Sequence, residues 1–196
     1  LEGLYAANDV MNLTRVPREE AWVRHFADSL LFADLIEAGS AVLDIGTGPG
    51  FPAWPLACAR PDLQVTALDS NKKMLGFLEG FGLPNLSLVL ARAEEWDVRG
   101  AYDVVTGRAL APLPIQLEIS AASCRVGGCV IPMRTGRDEF CSVRELGLEL
   151  ERVEERVLPG TEIARVFPVY RKTKQTPARY PRRWAEIKAK PLTLGA

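Results

Sequence analysis

Three glycines at alternate positions, Gly46, Gly48 and Gly50, follow the run Ala41-Val42-Leu43-Asp44-Ile45 and lead into Phe51-Pro52. A buried strand that turns through glycines into a helix lets the backbone approach a ligand where a Cβ would intrude. Spacing narrows the choice of ligand. The dinucleotide fingerprint Gly-x-Gly-x-x-Gly needs its third glycine one residue later than this chain has it, and the Gly-Lys-Ser/Thr of a phosphate loop is missing. A ligand-free strand-to-helix turn is the bland alternative, but a turn needs fewer glycines.

Three further positions could complete such a site. Asp69 ends the run Val65-Thr66-Ala67-Leu68 and either accepts hydrogen bonds from a ribose diol or caps the segment that opens at Ser70-Asn71. The pair Ala93-Glu94 suits adenine, the apolar residue packing on the ring and the acid taking the exocyclic amine; in isolation Glu94 reads equally as a solvated loop acid. Arg108 follows Tyr102-Asp103-Val104-Val105-Thr106 and sits where open sheets bind ligands, unless it only pairs with a surface acid. Cys58, Cys124, Cys129 and Cys141 contain no Cys-x-x-Cys pair and the single His25 is remote in sequence from all of them, so no metal site or disulfide framework is expected. The four thiols are expected to be buried.

The elements that must hold these residues follow from periodicity. Residues 1–37 read as helical: Pro17 precedes two acids, and Phe26, Leu30, Leu31 and Ile36 recur at three-to-five spacing. From residue 41, short apolar runs at 41–45, 65–68, 86–90, 102–106 and 130–132 alternate with helical candidates near 51–60, 71–81, 113–124 and 138–147. That alternation predicts an α/β fold, a mostly parallel, doubly wound sheet. Segments 151–158 and 165–169, separated by Pro159-Gly160, predict an antiparallel terminal hairpin. The expected organisation is a helical extension over 1–37, a core over 38–170 and a tail over 171–196.

With 196 residues, 47% hydrophobic and 25% charged, the chain has the composition of one ordinary globular domain. It shows no apolar run of membrane-spanning length and no signal-peptide layout, so a cytoplasmic protein without membrane contact is expected. The net charge of −1 hides an asymmetry. Residues 165–196 carry nine basic side chains and one acid. A segment this basic on an acidic body points to an anionic partner, nucleic acid before others, or else to a solvated tail.

Asp44-x-Gly46-x-Gly48-x-Gly50 resembles the first motif of S-adenosylmethionine-dependent methyltransferases with the Rossmann-like fold. More widely, the chain resembles the RsmG (GidB) family, bacterial guanine-N7 methyltransferases of small-subunit (16S) ribosomal RNA. The likeness rests on Asn12-Leu13-Thr14, Arg24 through Leu30, Asp44 through Pro52, Leu68-Asp69-Ser70, Arg92-Ala93-Glu94, Val105 through Ala109 and Tyr180-Pro181-Arg182-Arg183. It departs from the family at Ala53-Trp54 and at Trp184 through Ile187.

The resemblance implies a class I fold and S-adenosyl-L-methionine bound by Gly46, Phe51, Ala93, Glu94 and Arg108, with Asp69 nearby; Asp44, Gly48 and Gly50 complete the expected cofactor set. It also implies an active-site mouth bordered by Asn12, Arg24, His25 and Asp28, although helix packing and capping would explain His25 and Asp28 equally. The expected RNA contacts are Asn12, Arg24 and His25 together with Arg179, Tyr180, Arg182, Arg183, Lys188 and Lys190, with Tyr180 or Trp184 either stacking on a base or packing on the body. The partner implied is 16S ribosomal RNA or the small ribosomal subunit, met by a monomer. Cutting the chain after Arg171 is expected to weaken RNA binding and spare the cofactor.

Guanine N7 carries an in-plane lone pair that is free at neutral pH, so this chemistry needs no general base. Arg108 is the candidate catalytic residue, as a positioning group: it would touch O6 alone, because a bidentate grip on O6 and N7 would block the reacting atom, or hold a phosphate or the cofactor. Cytosine-C5 methylation would need a nucleophilic Cys where the chain has Thr106-Gly107-Arg108-Ala109, and the Asn/Asp-Pro-Pro-aromatic motif of exocyclic-amine methylation is absent. A small-molecule methyltransferase, or a cofactor-binding RNA chaperone without turnover, are the competing readings.

Overall fold

The computed structural model describes residues 1–136 and 138–194. Seven strands form one sheet: β1 (Ala41–Ile45), β2 (Gln64–Asp69), β3 (Leu86–Leu90), β4 (Tyr102–Arg108), β5 (Cys124–Met133), β6 (Leu148–Val157) and β7 (Ala164–Lys172). Their order is β3-β2-β1-β4-β5-β7-β6. The first five run parallel, and β7 enters antiparallel between β5 and β6. The order reverses between β1 and β4, which places a crevice at the carboxyl ends of those two strands.

Burial of both sheet faces explains why the strands read as continuous apolar runs. Neighbours along a strand point to opposite faces, and Val42, Val104 and Ile131 join one core cluster while Leu43, Val105 and Val130 join the other. On one face lies α3 (Ala53–Ala59), whose Leu56 and Ala57 pack with Phe32 and Ile36. On the other lies α5 (Leu113–Ala121), buried nearly all round, Gln116 and Glu118 included. A helix that buries a glutamate needs a cation at its back. The C-terminal residues supply it. Beyond β2 runs α4 (Lys72–Glu79), capped by Asn71, whose side chain accepts the Lys73 N–H at 3.0 Å.

The N-terminal extension is helical as expected but not one helix. It comprises α1 (Glu2–Met11), a 3-10 turn (Arg18–Glu20), a π-helical stretch (Trp22–Ala27) that runs into α2 (Asp28–Leu30), and a 3-10 turn (Ala33–Leu35). The last helix, α6 (Trp184–Ala189), lies in the segment expected to be a tail. Three expectations fail here. Residues 138–147 hold a 3-10 turn at Arg144–Leu146 instead of an α-helix; the apolar Val143 and Leu146 mimic helical spacing, but Val143 bridges Leu148 and the chain reverses at Gly147 with φ 74°. The boundary at 170 falls inside β7, and residues 173–194 fold back onto the core, residues 195 and 196 lying outside the described part. Among the thiols Cys124 is buried and pushed up to about 12 by burial, whereas Cys58 is exposed on α3, against expectation.

Candidate active site

Two cavities open at the carboxyl edge of the sheet. The first, of about 390 Å³, is lined among others by Gly46, which follows β1, Asp69, which ends β2, and Ala93 and Glu94 in the loop after β3. Gly46 has φ 70°, and a Cβ there would lie 2.4 Å from Leu110 Cδ1; Gly48 has φ 58° and open space where its Cβ would be. Both positions therefore demand glycine, one for approach and one for conformation. Asp69 ties the loop down: Oδ2 accepts the Gly48 N–H at 2.8 Å and Oδ1 accepts the Asn71 N–H at 2.8 Å. A carboxylate accepts about four hydrogen bonds. Since Asn71 itself caps α4, Asp69 keeps acceptor capacity for a diol. Glu94 is nearly buried at its side chain, and Arg92 pairs with its Oε1 at 2.6 Å, which leaves Oε2 outside that contact.

Other residues expected at the cofactor lie behind this surface. Asp44 is fully buried beneath the loop, where Oδ2 accepts the Ala53 N–H at 3.1 Å and Oδ1 has no partner among the described residues. Burial pushes its carboxyl up to about 7. It shapes the loop from below instead of lining the cavity. Gly50 packs against Leu78 of α4, and Phe51 is buried with its ring stacked on His25, centroids 4.4 Å apart. Phe51 thus backs the second cavity.

The second cavity, of about 520 Å³, is cationic. Arg24, Arg108, Arg134 and Arg165 line it with His25 and Asp28. Arg108, the last residue of β4, faces this cavity and not the first: Nη1 donates to the Arg24 carbonyl and to Asp28 Oδ2, both at 3.1 Å, and its guanidinium lies 5.4 Å from the centre of the Phe51 ring. Arg165 Nε donates to Asp28 Oδ1 at 2.9 Å, so one buried carboxylate holds two arginines, one from the end of β4 and one from the start of β7. His25 Nδ1 lies 3.3 Å from Arg108 Nη2, which can only donate, so Nδ1 accepts and Nε2–H donates to Thr14 Oγ1 at 2.7 Å. Burial, helped by Arg108 and Arg24, pushes His25 down to about 4. It is a neutral, positioned ring.

The two cavities share one wall. Ala109, Leu110 and Ala111 line both. Ala109 holds φ 51°, a left-handed conformation in which a non-glycine residue is strained and which recurs at functional sites.

Of the expected RNA contacts, the structure corrects two. Tyr180 is buried, flanked by the guanidinium groups of Arg179 and Arg182 at 5.0 and 5.9 Å, with its hydroxyl on Glu145, so its ring faces are not open to a base. Arg182 grips the buried Glu118 with its backbone N–H at 3.0 Å, Nε at 2.8 Å and Nη2 at 2.5 Å. Arg179 is exposed but paired with Glu145; Arg183, Lys188 and Lys190 are exposed, and Asn12 is exposed at the end of α1. The basic segment is partly structural elsewhere too: Arg171 pairs with Glu151, and the buried Lys172 donates to the Ala121 and Leu146 carbonyls. Sequence reading missed Arg134 and Arg165 as cavity residues. Arg134 follows β5 as Arg108 ends β4, so the same edge rule points to it; Arg165 had only its charge to mark it.

Comparison with known proteins supplies the chain's relatives and the class of its fold. Residues 1–157 match the GidB family model, described as rRNA small subunit methyltransferase G. Ribosomal RNA small subunit methyltransferase G of Acetivibrio thermocellus is 38% identical over 201 residues, covering 95% of this chain and 83% of that protein. Among solved structures, a TehB-like SAM-dependent methyltransferase from Corynebacterium glutamicum superposes with a TM-score of 0.61 at 16% identity, covering 88% of this chain and 98% of that one. M. jannaschii TYW2 in complex with AdoMet gives 0.62 at 14% identity, over 81% and 78% of the two chains. At such identities the structural matches establish the fold, that of Rossmann-like methyltransferases.

Proposed function

Since the chain belongs to the GidB family of small-subunit rRNA methyltransferases, we propose that it transfers the methyl group of S-adenosylmethionine to N7 of a guanine in 16S ribosomal RNA. The observation that carries this reading is the shared wall at Ala109–Ala111 between an acid-lined cavity sized for a nucleoside and an arginine-lined one suited to a nucleotide. The donor fits the first cavity by its residues: Asp69 has acceptor capacity for ribose hydroxyls, Glu94 Oε2 for an exocyclic amine, and the left-handed glycines keep the backbone out of the way. When bound, S-adenosylmethionine supplies a methyl group activated by a sulfonium.

In the second cavity the residues orient and exclude; they do not shuttle protons. Arg24, Arg134 and Arg165 line the cavity while paired with Glu20, Asp138 and Asp28, and their remaining N–H donors suit phosphate contacts, which hold register on the nucleic acid without reading bases. Arg108, fixed by Asp28 and the Arg24 carbonyl, reaches O6 with one edge and leaves N7 free. His25, neutral at pH 7, adds no competing acid beside the N7 lone pair and braces Phe51. Alignment of this kind contributes up to about 7–11 kcal/mol in favourable cases. The base must leave its stack to enter. Exposed Arg183, Lys188 and Lys190 extend the cationic surface. The same reading makes the protein a cytoplasmic monomer, since its RNA is there and one chain builds both cavities.

Incubation with 16S RNA, or with small subunits, and labelled donor tests this directly. N7-methylguanine at a defined position, mapped by chemical cleavage, is the expected result. Tight binding of both RNA and donor with no incorporation would instead make the protein an RNA chaperone.

A further inference from the structure

We infer that Trp184 is a nucleoside-contacting residue, so that α6 closes the outer side of the acid-lined cavity and presents its indole to the adenine of the donor. This rests on the assignment of that cavity made above. Trp184 is the only aromatic side chain among the described residues that line the cavity; the remaining apolar lining is divided between alanine and the branched Ile45, Leu68, Leu110 and Ile119, none of which offers a flat face. A purine packs best against an extended flat surface, and an indole supplies one. The rim around it is continuous. The Arg92 guanidinium lies 5.5 Å from the centre of the Trp184 ring, and the same group holds Glu94 Oε1 at 2.6 Å, so indole, guanidinium and carboxylate form one edge beside the place expected for the base.

The position of Trp184 is fixed from both sides. Two residues before it, Arg182 grips the buried Glu118 of α5 through three donors. Three residues after it, Ile187 is fully buried in the core cluster that contains α5. Trp184 itself is half-buried, with the exposed Arg183 beside it and Lys188 one turn on. The segment that sequence alone marks as an RNA contact therefore has one face in the cofactor cavity.

The test is calorimetric titration of S-adenosylhomocysteine into the full chain and into Trp184→Ala, Trp184→Leu and Trp184→Phe, with Asp69→Ala as reference. Loss of a stacking face is expected to weaken binding about tenfold or more in Trp184→Ala and Trp184→Leu, while Trp184→Phe stays within about threefold. Ligand-free melting curves check folding; should Trp184→Ala not fold, Trp184→Leu, which keeps apolar contact with α5, decides. Wild-type affinity in Trp184→Leu alongside weakened Asp69→Ala would overturn the role of Trp184 and leave the cavity assignment standing. Failure of the unaltered chain to bind S-adenosylhomocysteine would overturn the cavity assignment itself.

Discussion

The acid-lined and arginine-lined cavities share a wall, yet the chain builds them in different ways. The first takes its floor from consecutive strand ends, where Gly46, Asp69 and Glu94 each follow or end a short apolar run. The second depends on contacts between remote segments, such as the pair between Asp28 and Arg165, 137 residues apart. A nucleoside can be recognised by local turns because it is small and its polar groups are close together. A folded RNA must be met by charges spread over a broad surface, and long-range ion pairs hold those charges in place.

The sharpest way to break the second cavity is Asp28→Ala. It strands Arg108 and Arg165 without their shared carboxylate, and removing one partner of a buried ion pair costs about 3–5 kcal/mol. Urea denaturation should show that loss, RNA methylation should disappear, and S-adenosylhomocysteine affinity should hold within about twofold, since Asp28 does not line the first cavity.

A buried titrating group stands in the second cavity and another beneath the loop of the first, and the two slopes oppose. His25 drops from 6.5 to about 4 on folding, so its contribution is present above pH 6.5 and lost as the pH falls toward 4. Asp44 rises from 3.8 to about 7, so the folded chain keeps a proton that the unfolded chain releases, and stability is lost as the pH rises through that window. Asp44→Asn removes one slope. Between pH 7 and 4 it is expected to lose about 3–4 kcal/mol more stability than the unaltered chain, by denaturation at each pH. Parallel curves would place the Asp44 carboxyl at its ordinary value.

Asp69→Ala probes the first cavity more gently. Loss of a charged acceptor should weaken the donor by about 1.5–3 kcal/mol by calorimetry, with RNA affinity unchanged. The smallest effect belongs to Lys188→Ala with Lys190→Ala, on the exposed face of the C-terminal segment. These should reduce RNA affinity modestly and lower the salt dependence by about one unit of slope for each phosphate no longer neutralised, leaving the donor unaffected.

The same contrast explains what was legible beforehand. Strands β1, β2 and β4 are legible because burial on both faces leaves apolar runs, the edge strand β3 because Leu86, Leu88 and Val89 still pack on the core, and Gly46, Asp69, Ala93 and Glu94 end or follow β1 to β3. The false helix at 138–147 came from apolar spacing, which a turn stabilised by a long-range bridge can imitate. The paired state of Arg182 is not legible because it depends on Glu118, a residue whose own burial no local pattern shows, and the burial of Tyr180 is not legible because its hydroxyl partner, Glu145, lies 35 residues away. Charge counting assigns a cation to solvent or to a partner. Only packing reveals one that belongs to the core.

The Glu118 contact also imposes an order on the life of the molecule. This carboxylate sits in the heart of α5, and its counterion is made 64 residues later. While the chain is still being synthesised, that helix cannot settle on the sheet without entombing a bare negative charge. Maturation therefore waits for an arginine that follows all seven strands in the chain, so the helix at the centre of the fold is among the last parts to settle.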